Sequence, residues 1–115
     1  HQQSKRQGVA QSYSKDSSKR MTLGRACREL APDLEQGKGV LRRLRVAENA
    51  PDFNGTIRAV RALITLMRKM DIQIDYGSLA HDLYLVQLVD KRGKVFQQWG
   101  KDYYCWKPIS AQKQQ

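Results

Sequence analysis

The stretch Thr56–Ile72 constrains the fold most, because its apolar and basic side chains separate at the period of an α-helix. At a helical advance of about 100° per residue, one half of the cylinder is apolar: Ile57, Val60, Leu63, Ile64, Leu66, Met67 and Met70. The other half is basic: Arg58, Arg61, Arg68 and Lys69, with Thr65 among them. This division predicts a helix with one face in the core and a row of cations facing water or an anion.

The basic half of this helix has no acidic residue before Asp71. A solvated face usually mixes Glu with Lys and Arg, because opposite charges at i,i+4 stabilise the helix. A plain solvated face is the alternative, but an all-cationic row favours an anionic partner. The formal net charge of +10, from 21 Lys+Arg against 11 Asp+Glu, favours nucleic acid over a membrane surface.

The 115 residues suffice for one domain with a single core. No stretch is long and apolar enough to cross a bilayer and no signal-peptide pattern opens the chain, so we expect a cytoplasmic protein. Cys27 and Cys105 lack the spacing of a metal or redox motif. Reduced thiols are the simplest interpretation, and a disulfide between them is the alternative.

Residues 1–20 are rich in Gln, Ser, Lys and Arg and nearly free of large apolar side chains. They cannot bury enough surface to offset the entropy of ordering, so we predict a flexible basic arm. The arm is either an inert linker or a segment that binds a phosphate backbone, with Lys19 and Arg20 as candidate contacts. Residues 21–107 are predicted to form the helical bundle and residues 108–115 a disordered tail.

Four further helices are predicted, which makes the fold class an all-α bundle of about five helices. The first runs from Leu23 to Leu30, with Thr22 as its N-cap and Gly24 at a close helix contact. The second runs from Gly37 to Ala47 and carries a second basic row: Lys38, Arg42 and Arg45, with Arg43 beside it. The segment NAPDFNG (49–55) is predicted to be a loop whose Phe53 plugs into the core.

The fourth helix is predicted from about Leu79 to Leu88, after a turn capped by Asp75, with Tyr84 as a candidate for its inner face. A polar turn at residues 90–94 then leads to a helix from Val95 to Tyr103. Residues 86–98 could instead form a β-hairpin, because two short apolar runs flank a glycine-containing turn. We favour helix because the rest of the chain is helical.

Motifs for catalysis are missing: the chain has no glycine-rich phosphate loop, zinc-binding cysteine pair or nucleophile elbow. Asp71, Asp75 and Asp82 could gather around a metal, with His81 as a base or ligand. A capping role for Asp75, a helix-face position for Asp82 and a packed or half-exposed His81 explain them better. We therefore predict no enzyme activity, no cofactor and no metal.

Most aromatic residues lie in the last third of the chain: Tyr76, Tyr84, Phe96, Trp99, Tyr103, Tyr104 and Trp106. We expect most of them to fill the core and only Tyr104 and Trp106 to be available for surface contacts. The basic rows lie in the first two-thirds, which has only Tyr13 and Phe53. We therefore expect contact with phosphates rather than stacking on bases.

Four segments, in their order and spacing, resemble the small subunit (CasB family) of the type I-E CRISPR surveillance complex, Cascade. They are Thr22-Leu23-Gly24-Arg25-Ala26, Ile57-Arg58-Ala59-Val60-Arg61, Ile74-Asp75-Tyr76 with Leu79-Ala80-His81-Asp82-Leu83-Tyr84, and Trp99-Gly100-Lys101-Asp102-Tyr103-Tyr104. The resemblance covers about residues 20–106. Its most specific motifs are the Leu-Gly-Arg-Ala start and the Trp-Gly-Lys-Asp-Tyr-Tyr end.

The resemblance implies an all-helical, non-catalytic subunit that packs head to tail with a second copy, beside the backbone and large subunits of Cascade. It implies a basic channel that holds the backbone of the duplex of guide RNA and target DNA and of the displaced strand, while base pairing reads sequence. By position, Arg45, Arg58 and Arg61 match basic positions of the family's nucleic-acid face, and Arg25 lies in the first motif. The sequence departs from the family's pattern in two places. The helical segment that usually precedes the basic loop is missing, and the stretch DKRGKVFQQ is unusual.

We therefore predict a nucleic-acid-binding subunit that holds the R-loop by sequence-independent contacts. The predicted phosphate contacts are Lys19, Arg20, Arg25, Lys38, Arg42, Arg45, Arg58, Arg61, Arg68 and Lys69. One alternative is a helix-turn-helix protein that reads DNA with residues 78–88, although this helix has Asp82 and no Arg or Lys. Others are a basic structural adaptor for an acidic protein and a metal-dependent hydrolase using Asp75, His81 and Asp82.

Overall fold

The computed structural model describes residues 20–31 and 34–108, apart from the side chains of residues 34–36. These residues form five α-helices and no β-strand: α1 (Leu23–Leu30), α2 (Leu34–Glu48), α3 (Phe53–Lys69), α4 (Tyr76–Val86) and α5 (Val89–Cys105). The all-α prediction is therefore confirmed. The predicted arm and tail lie outside the described residues, except for Arg20 and for Pro108, which is buried.

The predicted polar turn at residues 90–94 is wrong, and so is the hairpin alternative, because α5 begins at Val89. Val95, Trp99 and Tyr103 are buried at four-residue spacing, so one continuous stripe of α5 packs on the core. Packing of such a stripe outweighs local turn propensity. Arg92, which lies in the predicted turn, donates a hydrogen bond from Nε to the carbonyl oxygen of Val86 at 2.8 Å. This bond gives a partner to one of the backbone carbonyls left open at the C-terminal end of α4.

Asp52 starts α3 earlier than predicted, because its carboxylate accepts a hydrogen bond from the Gly55 amide at 2.8 Å and caps the helix. Phe53, expected as a loop plug, is the first residue of α3 and packs half-buried against the core. At the other end α3 stops at Lys69. Met70 is 63% exposed there, so it does not belong to the apolar face as predicted.

Asp75 caps α4 as predicted, accepting a hydrogen bond from the Ser78 amide at 3.1 Å. Since this cap fixes the start of the helix, α4 begins at Tyr76, before the predicted Leu79. The amide of Asp75 also donates to the carbonyl of Met21 at 2.8 Å, which ties the segment before α1 to the start of α4.

A single core joins all five helices. Its buried apolar residues are Leu23, Ala26, Cys27, Leu44, Ala47, Val60, Leu63, Met67, Ile74, Leu79, Val86, Val95, Trp99 and Tyr103. The helices α2 and α3 form a helical hairpin, and the Thr56 hydroxyl donates to the Ala47 carbonyl across it at 2.9 Å. The short α1 packs mainly on α5, where Thr22 Oγ1 donates to Asp102 Oδ2 at 2.9 Å. This arrangement leaves the outer faces of α2, α3 and α5 open.

Candidate nucleic-acid interface

The basic row of α3 lies on its exposed face, as the periodicity predicts. Arg58, Arg61, Arg68 and Lys69 are all exposed. None of the four cations forms an ion pair with a described carboxylate; the ion pairs seen in this part of the chain join Arg20 to Asp75 and Arg45 to Glu48. These cations keep their full charge available to an external anion.

A groove between α3 and α4 collects part of this row. Its apolar floor consists of Ile57, Val60, Ile64, Leu79 and Leu83, and its volume is about 380 Å³. Arg61, Thr65 and Arg68 line the α3 side, and Tyr76 lines it from the first position of α4. The Thr65 hydroxyl already donates to the Arg61 carbonyl at 3.0 Å. We call this feature the α3–α4 groove; it brings together two predicted cations and one aromatic ring.

Arg58 occupies a different position from Arg61 and Arg68. It lines a shallow, mainly apolar depression with Val46 and Ala59, beside the turn that joins α2 to α3. Val46 is 58% exposed. The α3 row therefore extends from this turn, at Arg58, to the α3–α4 groove, at Arg61 and Arg68.

The α2 row is less uniform than the α3 row. Lys38 and Arg42 are exposed. Arg45 Nη1, by contrast, contacts Glu48 Oε1 at 2.7 Å, and this hydrogen bond, with the negative charge of Glu48, raises the pKa of Arg45. The guanidinium lies 4.0 Å from the point where a Cβ on Gly100 would stand, so it borders α5 rather than the α3–α4 groove.

Arg20 and Arg25 make contacts inside the protein. Arg25 Nη1 donates to the Arg20 carbonyl at 2.8 Å, and its guanidinium lies over the Trp106 ring at 5.1 Å. Arg20 Nε lies 3.8 Å from Asp75 Oδ2. Both side chains thus hold the start of α1 against α4 and the end of α5. Lys19 lies outside the described residues.

The aromatic predictions are partly wrong. Tyr104 is 64% exposed, as expected, whereas Trp106 is half-buried and donates from Nε1 to Glu29 Oε2 at 2.6 Å. Tyr76 and Tyr84, expected in the core, are 45% and 60% exposed. The reason is that α4 turns Leu79 and Val86 inward, and no described element covers the sides that carry the two tyrosines.

Three exposed lysines on α5 were missed from the sequence: Lys91, Lys94 and Lys101. Lys91 and Lys94 fall within the predicted turn, whereas Lys101 lies in the helix predicted from Val95 to Tyr103, on its outer face. The signal was present, since Lys94 and Lys101 lie seven residues apart, which places them on one helix face, away from the buried stripe of Val95, Trp99 and Tyr103.

The residues proposed for a hydrolase do not form a metal site. Within the described residues no group of three or more His, Cys, Asp or Glu could hold a metal ion. His81 is exposed, and half-buried Asp82 accepts a hydrogen bond from Trp99 Nε1 at 2.9 Å. Burial raises the pKa of Asp82, although the Trp99 hydrogen bond opposes this effect. Asp82 therefore orients a core tryptophan.

The structure defines a class of protein: a small, basic, all-helical bundle with exposed rows of cations. The family described as CRISPR-associated protein Cse2 matches the chain over residues 1–104. The chain belongs to this family, the small subunit of type I-E Cascade, so the resemblance to the CasB family is confirmed. It is a CRISPR Cascade subunit and assembles with other subunits of that complex.

Members of the family are structural subunits of Cascade. Neither a curated protein nor a solved structure matches the chain with significance. Among the described residues, every helix is too short or too polar to cross a bilayer.

Proposed function

We propose that this Cascade subunit holds nucleic acid without catalysis, through sequence-independent contacts to the backbones of the guide–target duplex and the displaced DNA strand. One observation carries the proposal: the α3 row is exposed, entirely cationic and without an ion pair to any described carboxylate. The formal net charge of +10 also attracts a polyanion over longer distances.

Unpaired cations suit this role for a physical reason. A Lys or Arg that meets a phosphate releases condensed counterions, and this entropy gain drives binding whatever the base sequence. A cation already paired with Glu or Asp, such as Arg45, must first give up that partner. As phosphate contacts we therefore rank the four cations of the α3 row above Arg45. Lys38 and Arg42 rank equal to the α3 row, because they too are exposed. Arg20 and Arg25 come last because their contacts are internal.

We further infer that the subunit acts in the cytoplasm and contacts a second copy, head to tail, and the backbone and large subunits. Two exposed apolar residues at the α4–α5 corner support protein contacts: Leu88 (36%) and Val89 (81%). Apolar side chains gathered at one place on a surface are a common feature of protein interfaces.

The test is the double charge reversal Arg58→Glu with Arg61→Glu, compared with Lys91→Glu with Lys94→Glu. Both variants change the net charge equally and alter only exposed side chains. Binding of labelled single-stranded DNA of several sequences is measured by fluorescence anisotropy over a range of salt. We expect the α3 variant to lose roughly tenfold or more in affinity, and its salt slope to fall by about 0.7 for each lost phosphate contact. The loss should be similar for every sequence and smaller in the α5 variant.

Unchanged affinity and salt slope in a folded α3 variant would overturn the proposal. Tighter binding to an acidic polypeptide than to DNA at matched salt would identify a basic adaptor instead. Strong preference for one duplex sequence would identify a helix-turn-helix reader, although α4 carries no Arg or Lys.

A further inference from the structure

We propose that the α3–α4 groove receives an unpaired base of a nucleic-acid strand, stacked on Tyr76, while Arg61 and Arg68 hold the neighbouring phosphates. This inference rests on the proposed function and adds a base contact to it. Sequence alone suggested backbone contact only, because the basic rows have almost no aromatic residues near them in the chain.

The shape and chemistry of the groove fit a base. Its volume of about 380 Å³ lies in the range of pockets that bind small molecules. Its floor is apolar, with Ile57, Ile64 and Leu83 only half-buried. The face of a base is apolar enough to cover such a floor, whereas a phosphate or sugar alone is not.

The backbone that carries Tyr76 is anchored at the start of α4. It follows Asp75, whose carboxylate caps α4 at Ser78 and lies near Arg20. The Asp75 amide is bound to the Met21 carbonyl, so the backbone beneath Tyr76 is anchored on both sides. Tyr76 is nevertheless 45% exposed, so a ligand can reach its side chain.

The charges around the groove select the kind of ligand. Its charged lining residues are Arg61 and Arg68, and no carboxylate of the described residues lines it. The two arginines are two helical turns apart, roughly 10 Å along α3. An apolar peptide in the groove would remove both guanidiniums from water without offering them an anion, and this desolvation is unfavourable. A single strand offers an exposed base and flanking phosphates together, whereas a duplex keeps its bases stacked inside.

The experiment compares Tyr76→Ala with Tyr76→Phe and with Tyr84→Ala. Tyr84 is the matched control, because it is an exposed tyrosine of the same helix that does not line the groove. Each full-length variant is titrated with labelled oligo(dT) and with the same strand containing abasic positions. We expect Tyr76→Ala to lose roughly five- to a hundredfold in affinity for oligo(dT), the range for one stacked base. Tyr76→Phe and Tyr84→Ala should bind like the wild type.

The abasic strand separates base contact from phosphate contact. We expect the wild type to bind it more weakly than oligo(dT), and Tyr76→Ala to bind the two strands alike. If Tyr76→Ala binds oligo(dT) like the wild type while Arg58→Glu with Arg61→Glu is weakened, the base site is wrong and the proposed function stands. If both bind normally, both proposals fail. If Tyr76→Ala loses only its association with other Cascade subunits, the groove is a protein-docking site and the inference is overturned.

Discussion

Gly24 of α1 lies against the backbone carbonyl oxygen of Trp99 in α5, with no room for a side chain between the two helices. A Cβ on Gly24 would overlap that oxygen and stand 2.8 Å from the Cβ of Asp102. Glycine inside a helix costs about 0.5–1 kcal/mol relative to alanine. Here it permits a close contact between α1 and α5, which confirms the close packing expected from the sequence.

The first prediction is that Gly24→Ala destabilises the protein. The colliding atom belongs to the backbone of α5 and cannot rotate away, so we expect a loss of about 1–3 kcal/mol in the free energy of unfolding. Urea denaturation followed by circular dichroism measures it. Gly93→Ala is the control: Gly93 is exposed in α5, and an added Cβ would meet no described residue from outside its own helical turn within 4 Å, so alanine should add about 0.5–1 kcal/mol to the free energy of unfolding. Equal effects at the two positions would contradict the tight contact.

The second prediction concerns Asp82, whose pKa burial raises. A raised pKa means that the folded state binds a proton more readily than the unfolded state. The contribution of Asp82 to stability is therefore fully present below the ordinary aspartate pKa and is lost as pH rises through the raised value. Asp82→Asn keeps an oxygen acceptor for Trp99 Nε1 but does not ionise.

We accordingly expect Asp82→Asn to gain stability over the wild type as pH rises from about 3 to 7. Urea denaturation across this range measures the difference. Asp82→Ala leaves the Trp99 N–H without its acceptor and should lose about 1–3 kcal/mol. A difference between Asp82→Asn and wild type that is constant with pH would contradict the raised pKa.

The third prediction is that the two cysteines differ in reactivity. Both thiols are free, so the disulfide alternative is wrong. Burial, with a smaller effect of Glu48, raises the pKa of Cys27 to about 12, whereas Cys105 is exposed. Because the thiolate is the reactive form, a thiol reagent should modify native protein at Cys105 only. Cys105→Ser should be unreactive until urea exposes Cys27; rapid labelling of that variant in its native state would refute this assignment.

The fourth prediction, which depends on the proposed function, is that Glu48→Gln strengthens nucleic-acid binding. The substitution removes the charge that pairs with Arg45, whose side chain is 47% exposed. A released Arg45 should add up to about 0.7 to the salt slope for single-stranded DNA. Anisotropy across salt measures it, and adding Arg45→Ala should cancel the gain. A gain that persists in the double variant would show that Arg45 is not responsible.

Local patterns were sufficient for much of the fold. The bounds of α1 at Leu23 and Leu30, the caps at Thr22 and Asp75 and the two-sided character of α3 were all predicted. Each of these features depends on residues within a few positions of one another, where hydrogen-bonding groups and side-chain periodicity act directly. The start of α5 was missed because packing of Val95, Trp99 and Tyr103 outweighed the turn propensity of residues 90–94.

The sequence by itself thus determined the helices and the cationic outer face of α3, since both follow from spacing along the chain. The pairing of Arg45 with Glu48 also follows from spacing, since the two residues lie three positions apart on α2. Only the tertiary structure decided which distant side chains lie beside a cation: Trp106 at Arg25, Asp75 at Arg20, and Tyr76 across the groove from Arg61. These neighbours come from how helices cover one another. Periodicity assigns a residue to a face, whereas the partner that meets this face depends on packing across the whole chain.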